Sequence, residues 1–253
     1  MTDLRTDAAA LGSRIRAHDR FAARDINDWI LGLLSPGAEE RVLDVGCGTG
    51  KQALVLARRA RAVVGLDTST AALAEAGAAA ARAGLSNLRL LEGRMESLEA
   101  ALAGEEAFDA ALCCFALYYA ASPRETLRAL RSRLVSGGRL LVCGPARENN
   151  RAFVELCEGV VPREDQAHRI EASLTFMDVE GPPLFREAFD AVELSTFENP
   201  VTFPTSEDLL EYWRSYHLYS PRHEAAFRQA AEGHFARHGR FTTVKVVRGA
   251  LLA

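Results

Sequence analysis

The chain has 253 residues, enough for one large domain or for one domain with a modest insertion. Apolar residues make up 48% and charged residues 25% of it, a balance that is typical of globular proteins and excludes a collagen-like or wholly disordered chain. The formal net charge is −4, from 30 basic against 34 acidic residues, which disfavours binding to a nucleic-acid backbone. The sequence has no run of about 18 apolar residues, the length that a membrane-spanning helix needs. We therefore expect neither nucleic acid nor a membrane as a partner.

Cysteine usage points to a reducing compartment. The five cysteines form no C-x-x-C pair, and Cys113, Cys114 and Cys143 lie in apolar runs, which favours reduced thiols over a disulfide framework or a zinc site. His234 and His238 stand four residues apart on a predicted helix, but no third metal ligand accompanies them in the sequence. The first residues also lack the basic-then-apolar order of a secretory signal. We predict a cytoplasmic protein without a metal site.

An N-terminal helical region is predicted over residues 1–35, where apolar side chains recur at helical spacing. Short apolar runs bounded by Gly or polar residues follow, as expected of strands buried on both faces. These predicted strands are Arg41–Val45, Ala62–Leu66, Leu88–Leu91, Phe108–Cys114 and Arg139–Cys143. The helices predicted between them are Gln52–Arg61, Thr70–Ala83 and Arg124–Leu134. This alternation predicts an α/β fold with a parallel sheet and right-handed crossovers.

The chain is expected to turn at Gly137 and Gly138, just before the fifth of these strands. The C-terminal part is less regular, because prolines interrupt residues 145–188. Further strands are predicted at Ala191–Phe197 and Thr242–Leu252, with helices between them at about Ser206–Tyr219 and Arg222–Arg237.

The most informative stretch is an apolar strand that runs into three alternating glycines and then a predicted helix. Its sequence is Val42-Leu43-Asp44-Val45-Gly46-Cys47-Gly48-Thr49-Gly50. Glycines at such a turn let a ligand approach backbone N–H groups closely. A Walker phosphate loop is excluded, because Val45 occupies its first glycine position and Gln52 its Ser/Thr position. A dinucleotide-binding fingerprint is disfavoured, because the third glycine comes one residue early.

The spacing of Asp44 and the three glycines resembles the first motif of class I S-adenosylmethionine-dependent methyltransferases. The resemblance implies that Asp44 helps to hold the methionine ammonium group, often through water, and that the loop backbone lies along the methionine and the ribose. Asp67 ends the second apolar run, where an acid is placed to accept both ribose hydroxyls, as it is in NAD sites. The residues of this region that we expect to bind S-adenosyl-L-methionine are Asp44, Gly46, Cys47, Gly48, Gly50, Gln52, Asp67 and Thr68.

The resemblance extends over roughly residues 40–145 and includes the place of the family's third motif, at Leu90–Leu98. In that motif an Asp bonded to the adenine amine usually follows the glycine. Arg94 stands at this position here and cannot accept such a bond. We therefore expect the adenine to be bordered by the backbone around Arg94 and Met95, with Glu96 as an alternative acceptor.

The stretch Phe108–Tyr119 resembles the family's fourth motif, and Cys114 near its centre is expected to contact the cofactor. The stretch ends in Leu117, Tyr118 and Tyr119. Family members that methylate amino groups of nucleic acids or glutamine have Asn/Asp-Pro-Pro-aromatic at this place. The difference favours a small-molecule acceptor, with Tyr118 and Tyr119 close to the reacting atoms.

The resemblance also implies a complete fold. It is a Rossmann-like seven-stranded, mostly parallel sheet, whose last strand is antiparallel and inserts between the fifth and the sixth, with helices on both faces and a helical cap. No internal repeat or low-complexity linker divides the sequence, so the chain is expected to form a single methyltransferase domain over residues 1–253. Within it, 1–38 supplies N-terminal helices, 39–145 the cofactor-binding half, and 146–253 the substrate-side half with helical insertions.

An aromatic segment, Leu210–Tyr219, leaves two interpretations open. Its rings could line a pocket for a planar or cationic acceptor, or Tyr212, Trp213 and Tyr216 could be ordinary core at helical spacing. His217 within it is the candidate general base, because an imidazole titrates near neutral pH.

The sequence thus predicts a methyltransferase that uses S-adenosyl-L-methionine for O- or N-methylation of a small molecule by in-line transfer. Two alternatives stay open. One is a non-catalytic module that only binds S-adenosylmethionine. The other is an enzyme that uses the same cofactor for cyclisation or aminocarboxypropyl transfer. The oligomeric state is not defined by the sequence.

Overall fold

The computed structural model describes residues 8–162, 165 and 175–253. Its strands are β1 (Arg41–Val45), β2 (Ala62–Asp67), β3 (Leu88–Glu92), β4 (Phe108–Cys114), β5 (Leu134–Pro145), β6 (Val192–Phe203) and β7 (Phe241–Leu252). Its α-helices are α1 (Ala8–Phe21), α2 (Ile26–Leu34), α3 (Lys51–Leu56), α4 (Thr70–Arg82), α5 (Leu98–Ala101), α6 (Pro123–Ser132), α7 (Arg151–Glu158), α8 (Gly181–Ala188), α9 (Ser206–Arg214) and α10 (Glu224–His238). Short 3₁₀ turns occupy Met95–Ser97, Leu117–Tyr119 and Pro221–His223.

The seven strands form one sheet in the order β3-β2-β1-β4-β5-β7-β6. β1 pairs in parallel with β2 and β4, and β5 pairs in parallel with β4. β7 runs antiparallel to β5, with Leu140 opposite Leu252. The predicted fold class, including the insertion of the antiparallel last strand, is confirmed.

The predicted break at Gly137 and Gly138 is wrong, because β5 already begins at Leu134 and runs through both glycines. The register of β4 against β5 shifts there, since Phe108 pairs with Leu134 but Ala110 pairs with Arg139. Gly137 takes a φ of +73°, which a glycine adopts without strain. The two glycines therefore form an irregularity inside a long strand, as bulges commonly do.

Several helix ends also differ from the sequence prediction. α3 ends at Leu56 rather than Arg61, and the chain then continues in turns, with the N–H of Ala60 donating to the carbonyl of Leu56. α9 ends at Arg214 rather than Tyr219, and the hydroxyl of the next residue, Ser215, donates to the carbonyl of Tyr212. Local side-chain hydrogen bonds of this kind are not visible in the apolar periodicity.

The described residues group into two compact units, each assembled from three chain segments. Of the described residues, unit 1 takes 8–25, 148–162, 165 and 198–246. Unit 2 takes 26–147, 175–197 and 247–253. The predicted single-domain organisation stays a prediction. No helix in the described ranges is both long and apolar enough to cross a membrane.

Unit 2 contains β1 to β5, whose successive side chains point to opposite faces of the sheet. Leu43 and Leu140 face a cluster that α6 and α8 cover. Val42 and Leu141 face a second cluster that α2 and α3 cover. Both faces of the central strands β1, β2 and β4 are therefore buried, which explains why these strands read as apolar runs.

Arg139 on β5 forms an ion pair with Glu40 and hydrogen bonds with the end of α2. Its Nη1 and Nη2 lie 3.0 and 2.7 Å from the two carboxylate oxygens of Glu40. Its Nε donates to the carbonyl of Leu34 at 2.7 Å, and its Nη2 donates to that of Ser35 at 2.8 Å. The hydrogen bond from Arg139 lowers the pKa of Glu40. Such a fork-to-fork pair is geometrically specific.

Unit 1 has an aromatic core. The indole of Trp213 stacks on Phe227 with ring centroids 4.0 Å apart, and its Nε1 donates to the carbonyl of Leu218. Tyr212 and Tyr216 are also buried in this cluster, together with Phe153 and Phe203. Tyr212, Trp213 and Tyr216 thus pack as core, which is the second of the two interpretations of the aromatic segment.

Candidate cofactor site

The glycine loop between β1 and α3 turns sharply at the carboxyl end of β1. Gly46, Gly48 and Gly50 all have positive φ angles, of +75°, +53° and +80°. The N–H groups of Gly46 and Cys47 both donate to the carbonyl of Leu66, at 2.7 and 3.1 Å. The loop is thereby held against the end of β2, in a conformation that other residues adopt only with strain.

Two of the loop glycines are also required by close packing. A methyl group on Gly46 would lie 2.5 Å from the Cβ of Ala116, and one on Gly50 would lie 2.8 Å from the Cβ of Ala76. Real Cβ contacts are not that short. The loop therefore lies directly against α4 and against the segment that follows β4.

Asp44 is the buried acid of the site, with only 2% of its surface exposed. The N–H of Ala53 hydrogen-bonds to its carboxylate, while Oδ2 has no hydrogen-bond partner among the residues that the structure describes. Burial raises the pKa of Asp44 from 3.8 to about 7, the negative charge of Asp67 adds to this, and the Ala53 N–H opposes it. A buried carboxylate with an open oxygen suits a cationic ligand group such as the methionine ammonium.

Asp67 lies at the end of β2 and is partly exposed. Its Oδ2 accepts the N–H of Gly48 at 2.8 Å, and its Oδ1 accepts the N–H of Ser69 at 2.9 Å. A carboxylate oxygen has room for a second donor, so both oxygens are still able to accept a hydroxyl. This carboxylate is therefore fixed in orientation and fits a ribose diol. Thr68, the residue that follows Asp67, is exposed.

Cys47 and Gln52 lie on the same loop and helix. Cys47 is buried, and burial together with the nearby carboxylates of Asp44 and Asp67 raises the pKa of its thiol. The side-chain amide of Gln52 donates to Oδ1 of Asn27 at 3.2 Å. Asn27 is a buried polar residue on α2 that the sequence analysis missed; the only signal was a polar residue within an apolar stripe.

Glu96 links the segment after β3 to the segment after β4. Its Oε1 accepts the N–H of Ala121 at 3.1 Å, and this hydrogen bond lowers the pKa of the carboxyl group. The exposed Arg94 pairs with its other oxygen, with Nε and Oε2 3.4 Å apart. Met95 is partly buried against the core of unit 2. The adenine-bordering role of Arg94 and Met95 stays a prediction.

The segment after β4 carries the remaining expected contacts. Cys114 is buried, and burial raises the pKa of its thiol well above the ordinary value. Phe115 adopts a φ of +56°, a conformation that costs energy for a residue with a Cβ and that is frequent at functional sites. Tyr118 packs 4.6 Å from Tyr119, of which 44% is exposed. Tyr118 also lies near Phe176.

His217 belongs to unit 1, and its ring lies 4.4 Å from that of Tyr216. It is partly exposed. The glycine loop, Tyr118 and Tyr119 belong to unit 2. The role of His217 as a general base therefore stays a prediction.

The two histidines of α10 lie next to each other and close to a backbone carbonyl. The rings of His234 and His238 lie 4.6 Å apart, and Nε2 of His234 is 3.2 Å from the carbonyl oxygen of Arg240. Over the described ranges, no group of three or more His, Cys, Asp or Glu side chains is placed to hold a metal ion.

Comparison with known proteins gives a family. Residues 36–179, more than half of the chain, match the family model described as a methyltransferase domain. The ubiquinone biosynthesis O-methyltransferase of Paracidovorax citrulli is 33% identical over 141 residues, which cover 53% of this chain and 58% of that protein. The trans-aconitate 2-methyltransferase of Deinococcus radiodurans is 31% identical over 188 residues, covering 68% and 67%. The chain thus spans less than two thirds of the first of these relatives.

A solved structure has the same fold. A putative methyltransferase from Bacillus halodurans superposes with a TM-score of 0.64 at 18% sequence identity, over 89% of this chain and 96% of that one. The strand order and the antiparallel β7 agree with this likeness. The chain belongs to the class I S-adenosylmethionine-dependent methyltransferase family, whose methyl donor is S-adenosyl-L-methionine.

Proposed function

We propose that the protein transfers a methyl group from S-adenosylmethionine to a small-molecule acceptor. The observation that carries this proposal is the pair of carboxylates beside the glycine loop. Asp44 offers a buried, open oxygen and Asp67 offers two oriented oxygens at the neighbouring strand end. Their chemistry matches the ammonium and the ribose diol of the donor.

Each part of the chain has a separate task in this proposal. When bound, S-adenosylmethionine supplies an electrophilic methyl group on a sulfonium. Asp44 holds the ammonium group of the donor and Asp67 holds its ribose. The loop backbone lies along the part of the donor between these two groups. The protein then has to align the acceptor in line with the methyl group and exclude water.

The acceptor side rests on fewer observations. Tyr118 and Tyr119 follow β4, which ends at the same edge of the sheet as β1, and Tyr119 presents an exposed ring. His217 is the proposed general base for an acceptor O–H or N–H group. The two relatives support a small acceptor, since one is named for trans-aconitate and the other for O-methylation in ubiquinone biosynthesis. A single domain over 1–253 and a cytoplasmic location belong to the same proposal.

A product assay tests this proposal against its alternatives. The protein is incubated with S-adenosylmethionine and a panel of small carboxylic acids, phenols and amines that includes trans-aconitate. Acceptor-dependent formation of S-adenosylhomocysteine, with one methylated product per turnover, supports methyl transfer. Methylthioadenosine indicates cyclisation or aminocarboxypropyl transfer. Tight binding of the donor with no turnover against any acceptor favours a binding module.

Once an acceptor is found, His217→Ala separates the proposed base from a bystander. A base acts in the transition state, so kcat should fall while the affinity for the donor stays unchanged. Unchanged kcat over the whole pH range would exclude His217 from proton transfer.

A further inference from the structure

The geometry around Asp44 points to an exchange of cations on cofactor binding. We propose that the α-ammonium group of S-adenosylmethionine or S-adenosylhomocysteine replaces a proton on Asp44, which is released to solvent as the ligand binds. The inference rests on the proposed cofactor binding and adds a proton to its stoichiometry.

The first observation is the isolation of the carboxylate. Asp44 is buried at the end of β1, between the neighbouring strands β2 and β4, and Oδ2 has no protein partner in the described ranges. One backbone N–H, that of Ala53, reaches the carboxylate. An ionised carboxylate in such a place lacks the hydration and hydrogen bonds that would stabilise its charge.

The second observation is the charge of the surroundings. The acidic groups that interact with Asp44 are the carboxylate of Asp67 and the thiols of Cys47, Cys113 and Cys114. The thiols are neutral, because burial raises the pKa of each of them. Among the groups found to act on Asp44 in the described part of the chain, none is a cation.

These two features raise the pKa of Asp44 to about 7. In the unliganded protein its carboxyl group is therefore about half protonated at pH 7 and mostly protonated at pH 6. A ligand ammonium beside the open oxygen reverses the balance, because an ion pair with a hydrogen bond favours the carboxylate form. The protonation balance is simple. The carboxylic acid loses one proton to the buffer, and the ligand ammonium keeps its own, since an α-amino group titrates at about 8.

Titration calorimetry with S-adenosylhomocysteine measures this proton directly. At each pH the binding enthalpy is determined in two buffers that differ in ionisation enthalpy, and the difference gives the number of protons released. We expect release of about 0.9 proton per ligand at pH 6 and about 0.5 at pH 7, from the titration of a group with a pKa of about 7. Apparent affinity should weaken up to about tenfold per unit as the pH falls below 6.

Two controls isolate Asp44 as the source. Methylthioadenosine retains the adenosine but lacks the amino acid, so it should bind to the unaltered protein without releasing a proton. Asp44→Asn has no proton to release and should bind S-adenosylhomocysteine more weakly, with the same enthalpy in both buffers.

Tight binding of S-adenosylhomocysteine with no proton released at pH 6 and 7 would overturn the inference and leave the proposed function standing. Equal proton release with methylthioadenosine would also overturn it, because the source would then not be the partner of the ammonium group. Failure of S-adenosylhomocysteine to bind at any pH would overturn the inference and the proposed function together.

Discussion

Gly46 and Ala116 pack so tightly that the glycine has no room for a side chain: an added methyl group would lie 2.5 Å from the Cβ of Ala116. Gly46 belongs to the glycine loop and Ala116 to the segment after β4 that carries Tyr118 and Tyr119. The proposed cofactor and acceptor sides of unit 2 are thus in direct contact through these two residues.

This contact predicts that one substitution weakens ligand binding and that a second substitution restores part of the affinity. Gly46→Ala should weaken binding of S-adenosylhomocysteine at least about tenfold, because the methyl group collides with Ala116 and an alanine at φ +75° costs about 1–2 kcal/mol. The double variant Gly46→Ala with Ala116→Gly removes the collision and should recover part of the affinity. Ala116→Gly alone is the control. Calorimetry of the three variants gives the coupling, and simple additivity of the two substitutions would contradict it.

Asp67 is predicted to tolerate no substitution, not even the isosteric one. Both of its oxygens accept a backbone N–H, from Gly48 and Ser69, so the amide nitrogen of an Asn would face a donor in either orientation. Hydrogen bonds to a charged acceptor are worth about 1.5–3 kcal/mol each. Asp67→Asn and Asp67→Ala should therefore both raise the Kd for S-adenosylmethionine at least about a hundredfold.

Glu92 offers the matched control for Asp67. It ends the neighbouring strand β3, pairs in register with Asp67 and is exposed. Glu92→Gln should leave the Kd unchanged within about twofold, since the side chain has no predicted ligand contact. If Asp67→Asn bound the donor as well as Glu92→Gln does, Asp67 would not be the ribose acceptor.

The unliganded protein is predicted to lose stability as the pH rises toward neutrality, through Asp44. Its pKa is raised from 3.8 to about 7, so between these values the folded state binds a proton that the unfolded state does not. Stability then falls with rising pH over this window. Asp44→Asn removes the contribution, so thermal unfolding without ligand should show a higher Tm than the unaltered protein at pH 8 and little difference at pH 4. Parallel Tm profiles of the two proteins would contradict the buried-acid account.

The Arg139–Glu40 pair is expected to have the opposite pH dependence: its contribution to the stability of the fold is lost at acid pH. The pKa of Glu40 is lowered in the folded state, so its contribution is complete above the ordinary value of 4.5 and is lost as the pH falls through the lowered pKa. Both side chains are about a quarter exposed or less, and the guanidinium makes two further bonds, to the carbonyls of Leu34 at the end of α2 and of Ser35 just after it. Arg139→Leu should lower the free energy of unfolding by about 1–3 kcal/mol at pH 7.

Urea titration measures this loss, and an exposed pair provides its control. Arg151 and Glu155 lie one turn apart on α7 and are largely exposed. Arg151→Gln should leave the free energy of unfolding nearly unchanged, because solvent screens an exposed pair. Equal effects of Arg139→Leu and Arg151→Gln would show that the bidentate geometry contributes nothing.

Much of the sheet was predictable because its central strands β1, β2 and β4 are buried on both faces. The sequence predicts β1 and β4 to the residue, and the glycine loop with Asp44 and Asp67 indicates the family by its sequence alone. The resemblance supplied what periodicity alone cannot, the insertion of β7 between β5 and β6.

The errors came from interactions between distant residues. The shifted register of β4 against β5 turned the expected break at Gly137 into part of a strand. Asn27 is buried and accepts a hydrogen bond from Gln52, 25 residues away, and a polar residue within an apolar stripe is a weak local signal of this. The aromatic segment was ambiguous because core rings and pocket rings have the same spacing, and only the packing of Trp213 on Phe227 decided its nature.

The central claim is that the loop between β1 and α3, with Asp44 and Asp67, is a site for S-adenosylmethionine. Titration calorimetry of the unaltered protein with S-adenosylmethionine, and separately with NAD, tests it most directly. The account predicts one S-adenosylmethionine bound per chain, loss of this binding in Asp67→Ala, and no comparable binding of NAD. Tight binding of NAD with none of S-adenosylmethionine would contradict it.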